Sequence, residues 1–245
     1  MPIEYLEVAE ARKLSGLRLV LTTGVPGPWG EAAKAVFGVK GIAYTPVRQT
    51  AMQIDPDLVE WTRQTSAPVA MFESERPRSG WAEILFLAER LAPEPSLIPE
   101  HPQQRTWMLG MCHEICGEHG LGWSRRLQLL TGAPNSDADT MPWKYGVEDQ
   151  GSTEGARSRV NDILELLAIQ LATNEGEYLM GAQLSAVDLY WACFSNLIRP
   201  LPPEQSPMPD YIRGAYGSWD GICPDELIEL RDRVFERHIG LPQTF

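Results

Sequence analysis

Prolines stand at positions 93, 95, 99 and 102, inside the stretch Ala92-Pro93-Glu94-Pro95-Ser96-Leu97-Ile98-Pro99-Glu100-His101-Pro102. Each fixes its own φ, lacks an amide donor and pushes the residue before it out of the helical region. Neither a helix nor a central strand runs through such a stretch, so it is the best domain boundary in the chain. The two sides read differently. Residues 1–92 alternate strand-like and helix-like segments, and residues 103–245 read as helix. At about 150 residues per typical domain, a chain of 245 residues leaves one large domain or two small ones, and the proline stretch favours two.

On the N-terminal side, residues 5–15 read as a short amphipathic extension helix. Leu17–Thr23 is β-rich and apolar, the composition of a central strand. Gly24-Val25-Pro26-Gly27 is a turn, and Pro28 suits the first position of a helix because its missing N–H would be unpaired there. That helix carries Trp29, Ala32, Ala33, Val36 and Phe37 on one face and stops near Gly38 or Gly41. Ile42–Val47 and Pro68–Phe72 read as strands, Asp57–Thr65 and Trp81–Leu91 as helices, and a short fourth strand is expected around Arg78-Ser79. The order implies a small mixed sheet with helices packed on it.

Beyond the prolines, Met108, Met111, Cys112 and Ile115 follow helical spacing, as do Val160, Ile163, Leu164, Leu167 and Leu171. Residues 131–155 read as a long loop. Ser185–Ile198 is a strongly apolar central helix and Glu226–His238 a final one, so this side is an all-α bundle.

With 33 acidic and 21 basic side chains the net charge is −12. A nonspecific nucleic-acid binder needs a basic face to release counterions, so no nucleic-acid partner is expected. No run of 18 apolar residues occurs, and no membrane partner is expected. The start, Met1-Pro2-Ile3-Glu4-Tyr5-Leu6-Glu7, has neither the basic residues nor the apolar stretch of a signal peptide. Cysteines at 112, 116, 193 and 223 make no disulfide framework. A cytoplasmic location is the expectation. Cys112, Cys116 and His119 share a helix face, but no second Cys/His cluster offers a fourth ligand, so no metal is expected.

Three segments carry a resemblance to the glutathione transferase superfamily. Tyr178-Leu179-Met180-Gly181-Ala182-Gln183-Leu184-Ser185-Ala186-Val187-Asp188 resembles the family's capped entry to its buried helix, with Ser185 and Asp188 as a capping box. Ser66-Ala67-Pro68-Val69 resembles the family's proline before the third strand. Arg78-Ser79-Gly80-Trp81 leading into Phe86-Leu87-Ala88-Glu89-Arg90-Leu91 resembles its acidic-serine helix start, with the tail matching better than the head. The resemblance implies an α/β thioredoxin-like N-terminal domain at residues 1–92 and an all-α C-terminal domain at 103–245. It implies glutathione as co-substrate, a small apolar electrophile as second substrate, and a homodimer. It further implies a cis Ala67-Pro68 bond, with the Ala67 backbone pairing with the cysteinyl part of glutathione, and a γ-glutamyl subsite at Ser79, Gly80 and Trp81.

The family sets a Tyr, Ser or Cys at the start of the first domain's leading helix. The matching stretch here is Gly27-Pro28-Trp29-Gly30-Glu31, which puts Gly27 at the reactive position. Glycine has neither hydroxyl nor thiol, so a mixed disulfide through this position is unavailable. A free thiol ionises near pH 8.5, and each unit of depression takes about 1.4 kcal/mol. The helix start, with the Trp29 and Gly30 amides, supplies roughly 0.3–2 kcal/mol of it. Thr22 or Thr23 can donate a hydroxyl, and Thr23 is the preferred donor. Trp29 either walls the site or anchors the helix. The face of Met108, Met111, Cys112 and Ile115 either lines the electrophile pocket or packs as core. Tyr145 and Tyr190 are candidate polar groups there, while Trp123 with Arg125 and Arg126 either borders the cleft or forms a solvated patch. Two functions stay open: glutathione transfer to an electrophile, and noncatalytic binding on the same fold, which Gly27 favours.

Overall fold

The structure is a computed structural model that describes residues 3–131, 140–145, 147 and 155–245. It divides into two compact units: Met1–Ser96 with Pro202–Pro209 and Ile239–Phe245, and Leu97–Leu201 with Asp210–His238.

The first unit is built on a three-stranded sheet in the order β2-β1-β3. β1 (Leu17–Thr22) runs parallel to β2 (Thr45–Gln49) and antiparallel to β3 (Val69–Phe72). Every residue of β1 but Thr22 is buried, which is why this apolar run takes the centre. Side chains alternate across the sheet. Val20, Val47, Val69 and Met71 pack on one face with Val8, Ala11 and Leu58, from α1 (Val8–Ala11) and α3 (Pro56–Thr62). Opposite them, Leu21 Cδ2 lies 3.5 Å from where a Cβ on Gly30 would stand, so α2 (Pro28–Val39) sits close over the sheet. It packs with α4 (Trp81–Leu91) through buried Val36, Phe37, Ile84 and Leu85. The fold is thus thioredoxin-like in this unit.

Several local expectations shift. The helix expected over 5–15 shrinks to Val8–Ala11 because Leu6 is taken by the sheet edge: its N–H donates to the Pro46 carbonyl at 3.0 Å and its carbonyl accepts the Arg48 N–H at 2.9 Å. β2 starts at Thr45, after the Ile42 N–H closes the end of α2 on the Phe37 carbonyl at 2.9 Å. The fourth strand reduces to one bridge between Ala70 and Arg78. The Asp55 carboxylate accepts the Asp57 and Leu58 amides at 2.9 and 3.3 Å, which opens α3 at Pro56.

The second unit is all-helical among the described residues: α5 (Pro102–Cys116), α6 (Leu121–Leu130), α7 (Met141–Lys144), α8 (Ala156–Thr173), α9 (Ala186–Phe194), α10 (Asp210–Tyr216) and α11 (Asp225–Val234). Every residue of α9 is buried, with α5 and α11 against it. A π-helical turn, Phe235–Ile239, replaces the last turns of the helix expected to reach His238. The long loop expected at 131–155 lies largely outside the described residues; its described part includes α7.

The capping box at 185–188 forms with a different inner geometry from the expected one. Asp188 Oδ2 accepts both the Ser185 N–H and the Ser185 hydroxyl at 2.8 Å, and Oδ1 accepts the Leu179 N–H at 2.8 Å. The Asp188 N–H goes to the Ser185 backbone carbonyl at 3.1 Å rather than to the hydroxyl. Burial pushes the Asp188 carboxyl up to about 6, against these donors.

Residues 202–209 and 239–245 differ from the expected division, because they belong to the first unit. The Gln243 N–H donates to the Gln205 carbonyl at 2.8 Å, and Lys34 Nζ on α2 donates to the Thr244 carbonyl at 2.5 Å.

Candidate functional site

The candidate site of the first unit is sought at the end of β1, where Thr22 and Thr23 lie. The Thr22 hydroxyl donates to Gln49 Oε1 at 2.7 Å, and the Thr23 N–H donates to the Gln49 carbonyl at 3.0 Å. Thr22 is therefore engaged with β2, and of the two candidate donors only the Thr23 hydroxyl has no partner among the described residues. Gly24 then turns the chain at φ 75°, a left-handed conformation that costs glycine little.

Gly27 caps α2 in an extended conformation, φ −63° and ψ 120°, and brings no side-chain acceptor to the helix start. Its carbonyl accepts the Glu31 N–H at 2.9 Å. Pro28 is buried and Trp29 half-buried. The Gly30 N–H has no partner among the described residues, so the helix presents a donor and its positive end at this point. Nothing stands within 4 Å of where a Cβ on Gly27 would lie. The position that lacks a reactive side chain also has open space.

Ala67 comes to the same end of the sheet through strand register. Val20 faces Val69 across the antiparallel β1–β3 pair. β3 opens at Val69, and Ala67 stands two residues before it, at the end of the sheet where β1 finishes. The Ala67-Pro68 bond is cis, Pro68 is buried and Ala67 half-buried. Thr22, Ala67 and the residues leading to Gly27 thus lie toward one end of the sheet.

Ser79, Gly80 and Trp81 open α4, where Ser79 is exposed and Trp81 half-buried. This helix start is already occupied by its own carboxylate. Glu83 Oε2 accepts the Gly80 N–H at 3.2 Å, and Glu83 Oε1 pairs with Arg76 at 2.6 Å. The Arg76 bond and the Gly80 amide hold the Glu83 carboxyl below its ordinary range. An anion approaching this helix start would meet Glu83 at the Gly80 amide.

Met108, Met111, Cys112 and Ile115 are each at most 3% exposed. Cys112 Sγ donates to Met108 Sδ at 3.3 Å. These residues pack as core of the second unit, and the open-pocket reading is not what the burial supports. Burial pushes the Cys112 and Cys116 thiols well up. Tyr190 is also buried, its hydroxyl pushed far up by the same cause. Arg125 is 3% exposed and donates to the Leu197 carbonyl at 3.0 Å and to Ser218 Oγ at 2.9 Å, a structural engagement rather than a solvated patch. Among the described residues no group of three His, Cys, Asp or Glu could hold a metal.

Glu31 is the group that sequence reasoning missed. It lies one turn into α2, 8% exposed, paired with Lys34 at 2.7 Å and accepting from Gln243 Nε2 at 3.3 Å. Burial pushes its carboxyl up, with Lys34 opposing. Tyr5 and Tyr44 beside it are both pushed up to about 12, by burial first and by Glu31 second. The available signal was a carboxylate sharing its face of α2 with Ala35, one turn on and also buried; its partner Gln243 gave none.

No family model matches the chain, and no curated protein matches it. Solved structures do. A β-etherase from Sphingobium is 18% identical with a TM-score of 0.67, covering 91% of this chain and 96% of its own. A glutathione S-transferase domain-containing protein from Marinobacter aquaeolei is 16% identical with a TM-score of 0.66, covering 91% and 98%. A glutathione transferase homologue from Sulfitobacter, solved with bound glutathione, is 14% identical with a TM-score of 0.64, covering 92% and 95%. At these identities the likeness is one of fold, and it extends over both units.

Proposed function

We propose that this chain, which has the glutathione transferase fold, binds glutathione in its first unit and directs the bound thiolate at a small apolar electrophile. The observation that carries the reading is the opening of α2: an unpartnered Gly30 N–H and an unfilled position at Gly27, toward the end of the sheet where Thr23 and Ala67 lie. A helix start of this kind favours an anion. In this reading the glutathione sulfur sits over Gly27, Pro28 and Trp29, with the Gly30 amide and the Thr23 hydroxyl donating to it. The Ala67 backbone pairs with the cysteinyl residue as an added strand does. Ser79, Gly80 and Trp81 border the γ-glutamyl end, where Glu83 already holds the Gly80 amide.

The chemistry asks little of the protein beyond holding a thiolate near the electrophile. The thiolate attacks, the leaving group departs with its electron pair, and the thiol proton goes to solvent. With no thiol at residue 27, sulfur chemistry stays on the ligand.

Noncatalytic binding on the same fold is the second reading, favoured by the absence of any hydroxyl or thiol at Gly27. One experiment separates the two. The chain is tested for retention on immobilised glutathione, and the ultraviolet absorbance of the bound thiolate is followed against pH. Transfer expects retention and a thiol pKa lowered by about one unit or more. Retention with an unshifted thiol leaves binding alone, and no retention removes both.

A homodimer and a cytoplasmic location belong to the same proposal. No helix among the described residues is long and apolar enough to cross a membrane. Phe86 is 49% exposed beside Arg90, above a hollow of about 360 Å³ that Arg76 and Arg78 also line, and is the side chain a second copy would bury. Sedimentation of the wild type against Phe86→Glu tests this; an unchanged mass removes that surface from the proposal.

A further inference from the structure

The second unit ends at His238, within the π-helical turn Phe235–Ile239 that follows α11. Three side chains tie this end of the unit to residues 177 and 178, in the connection between α8 and α9. Arg233 Nη1 donates to the Glu177 carbonyl at 2.6 Å, and Arg237 Nη1 donates to Glu177 Oε2 at 2.7 Å. The Tyr178 hydroxyl and His238 Nε2 lie 2.7 Å apart, with ring centres 5.7 Å apart. The connection is itself held firmly. Tyr178 and Gly181 exchange backbone bonds at 3.0 and 3.1 Å, and Asp188 accepts the Leu179 N–H. Tyr178 is 5% exposed and His238 half-buried.

The bond between Tyr178 and His238 has one polarity that suits its surroundings. A neutral imidazole accepts at Nε2 while the hydroxyl donates. Arg237 is held charged, above its ordinary range, by its bond to Glu177 first and by the Tyr178 hydroxyl second, so the hydroxyl oxygen already has a donor beside it. A protonated imidazole donates from both nitrogens. Two cations then aim at one oxygen, and the hydroxyl proton loses its acceptor. Charge acts in the same direction. Glu177 already serves Arg233 and Arg237, and Glu236, exposed on the same turn, makes no bond to His238. A charged His238 adds a third cation to this group. Burial lowers the His238 pKa, and Arg237 lowers it further.

We propose that Tyr178 and His238 form an acid-released latch on the final turn of the second unit. With His238 neutral, the hydroxyl bonds the imidazole and the turn is closed. With His238 protonated, that bond loses its polarity and the turn opens. Imidazole is the side chain whose ordinary pKa sets such a change between about pH 5 and 8. The folded state prefers the neutral ring, so the hold is complete above the unfolded pKa and is lost as pH falls through the folded one. Asp188 titrates close by, its carboxyl pushed up to about 6 while it holds the residue after Tyr178. A substitution that removes the charge of His238 alone separates the two. All of these residues belong to the second unit, and the inference is independent of the glutathione reading.

The test is hydrogen exchange of the full chain, read by mass spectrometry on peptides that contain Phe235–Ile239. It is run at about pH 8 and about pH 5, with labelling times scaled to the intrinsic exchange rate at each. The wild type is expected to lose roughly three- to tenfold in protection at the lower pH, the worth of about one hydrogen bond. His238→Gln, uncharged throughout, is expected to show no such loss. Tyr178→Phe is expected to show the low protection at both pH values. If His238→Gln does not fold by circular dichroism, His238→Asn is held to the same criterion. Equal wild-type protection at the two pH values, a loss that persists in a folded His238 variant, or full protection in Tyr178→Phe at the higher pH each overturns the latch.

Discussion

Gln243 and Glu31 meet across 212 positions of sequence, the Gln243 side-chain amide donating to Glu31 Oε2 at 3.3 Å. Lys34 completes the contact, bonding Glu31 at 2.7 Å and the Thr244 carbonyl at 2.5 Å. A buried carboxylate on the leading helix of the first unit therefore depends on residues near position 245.

That carboxylate has a pH signature. Burial raises the Glu31 pKa despite Lys34, and the groups facing it are Lys34, Gln243, Tyr5, Tyr44 and, through Tyr5, Arg48. The folded chain thus holds the Glu31 proton to higher pH than the unfolded chain. The resulting stability is fully present below the unfolded pKa and is lost as pH rises through the folded one. Glu31→Gln stays neutral and lacks this dependence. The melting temperature of the wild type minus that of the variant is expected to grow as pH falls from about 8 to about 5. A flat or shrinking difference would show that Glu31 is charged in the fold throughout.

Removing residues 240–245 strips the Gln243 and Thr244 bonds from α2 and from Gln205. Urea unfolding is expected to lose about 2–4 kcal/mol, at roughly 1 kcal/mol per hydrogen bond and somewhat more where the buried Glu31 is left short of a donor. A loss confined to a few tenths would mean that the tail rests on the unit without supporting it.

Asp188 accepts three donors at 2.8 Å, two of them from Ser185. An asparagine amide would turn an N–H toward one set of those donors. Asp188→Asn is expected to cost about 2–3 kcal/mol by denaturant titration. Above pH 6 a carboxyl shifted to about 6 is mainly ionised, so a near-neutral result there would indicate that these three bonds contribute little.

The four cysteines are buried, and burial raises the Cys112, Cys116 and Cys223 thiols, the last to about 11. Thiolate is the reactive form, so native protein is expected to react negligibly with Ellman's reagent and to release all four thiols in denaturant. Rapid reaction of a native thiol would point to a reactive site outside the first unit.

Gly27 has room for a side chain at a φ that any residue adopts. Gly27→Ser is expected to fold normally and, where glutathione binds, to lower its thiol pKa by about one further unit through an added donor. An unchanged thiol pKa in a retained complex would mean that the sulfur does not lie over residue 27.

The sequence was informative where periodicity and composition act locally. The apolar run of β1, Pro28 at the first position of α2, the stripe of α4 and the entry to α9 all read directly, because each is set by neighbours a few residues away. The contacts that escaped are those made across the fold. Leu6 joins the edge of β2 instead of a helix, and no pattern in residues 5–15 records that Pro46 and Arg48 will be its partners. Glu83 filling the start of α4 depends on Arg76, contributed by the preceding turn. Met108 and Cys112 have the spacing of a pocket wall and of a core face alike, and only their burial distinguishes the two.

The return of residues 202–209 and 239–245 to the first unit bears on how this molecule could be shuffled. A crossover at the proline stretch would give a recombinant whose leading half came from one parent and whose clasp came from the other. The halves are therefore interleaved rather than modular, and a chimera inherits a working first unit only when its last residues come from the same parent as its α2.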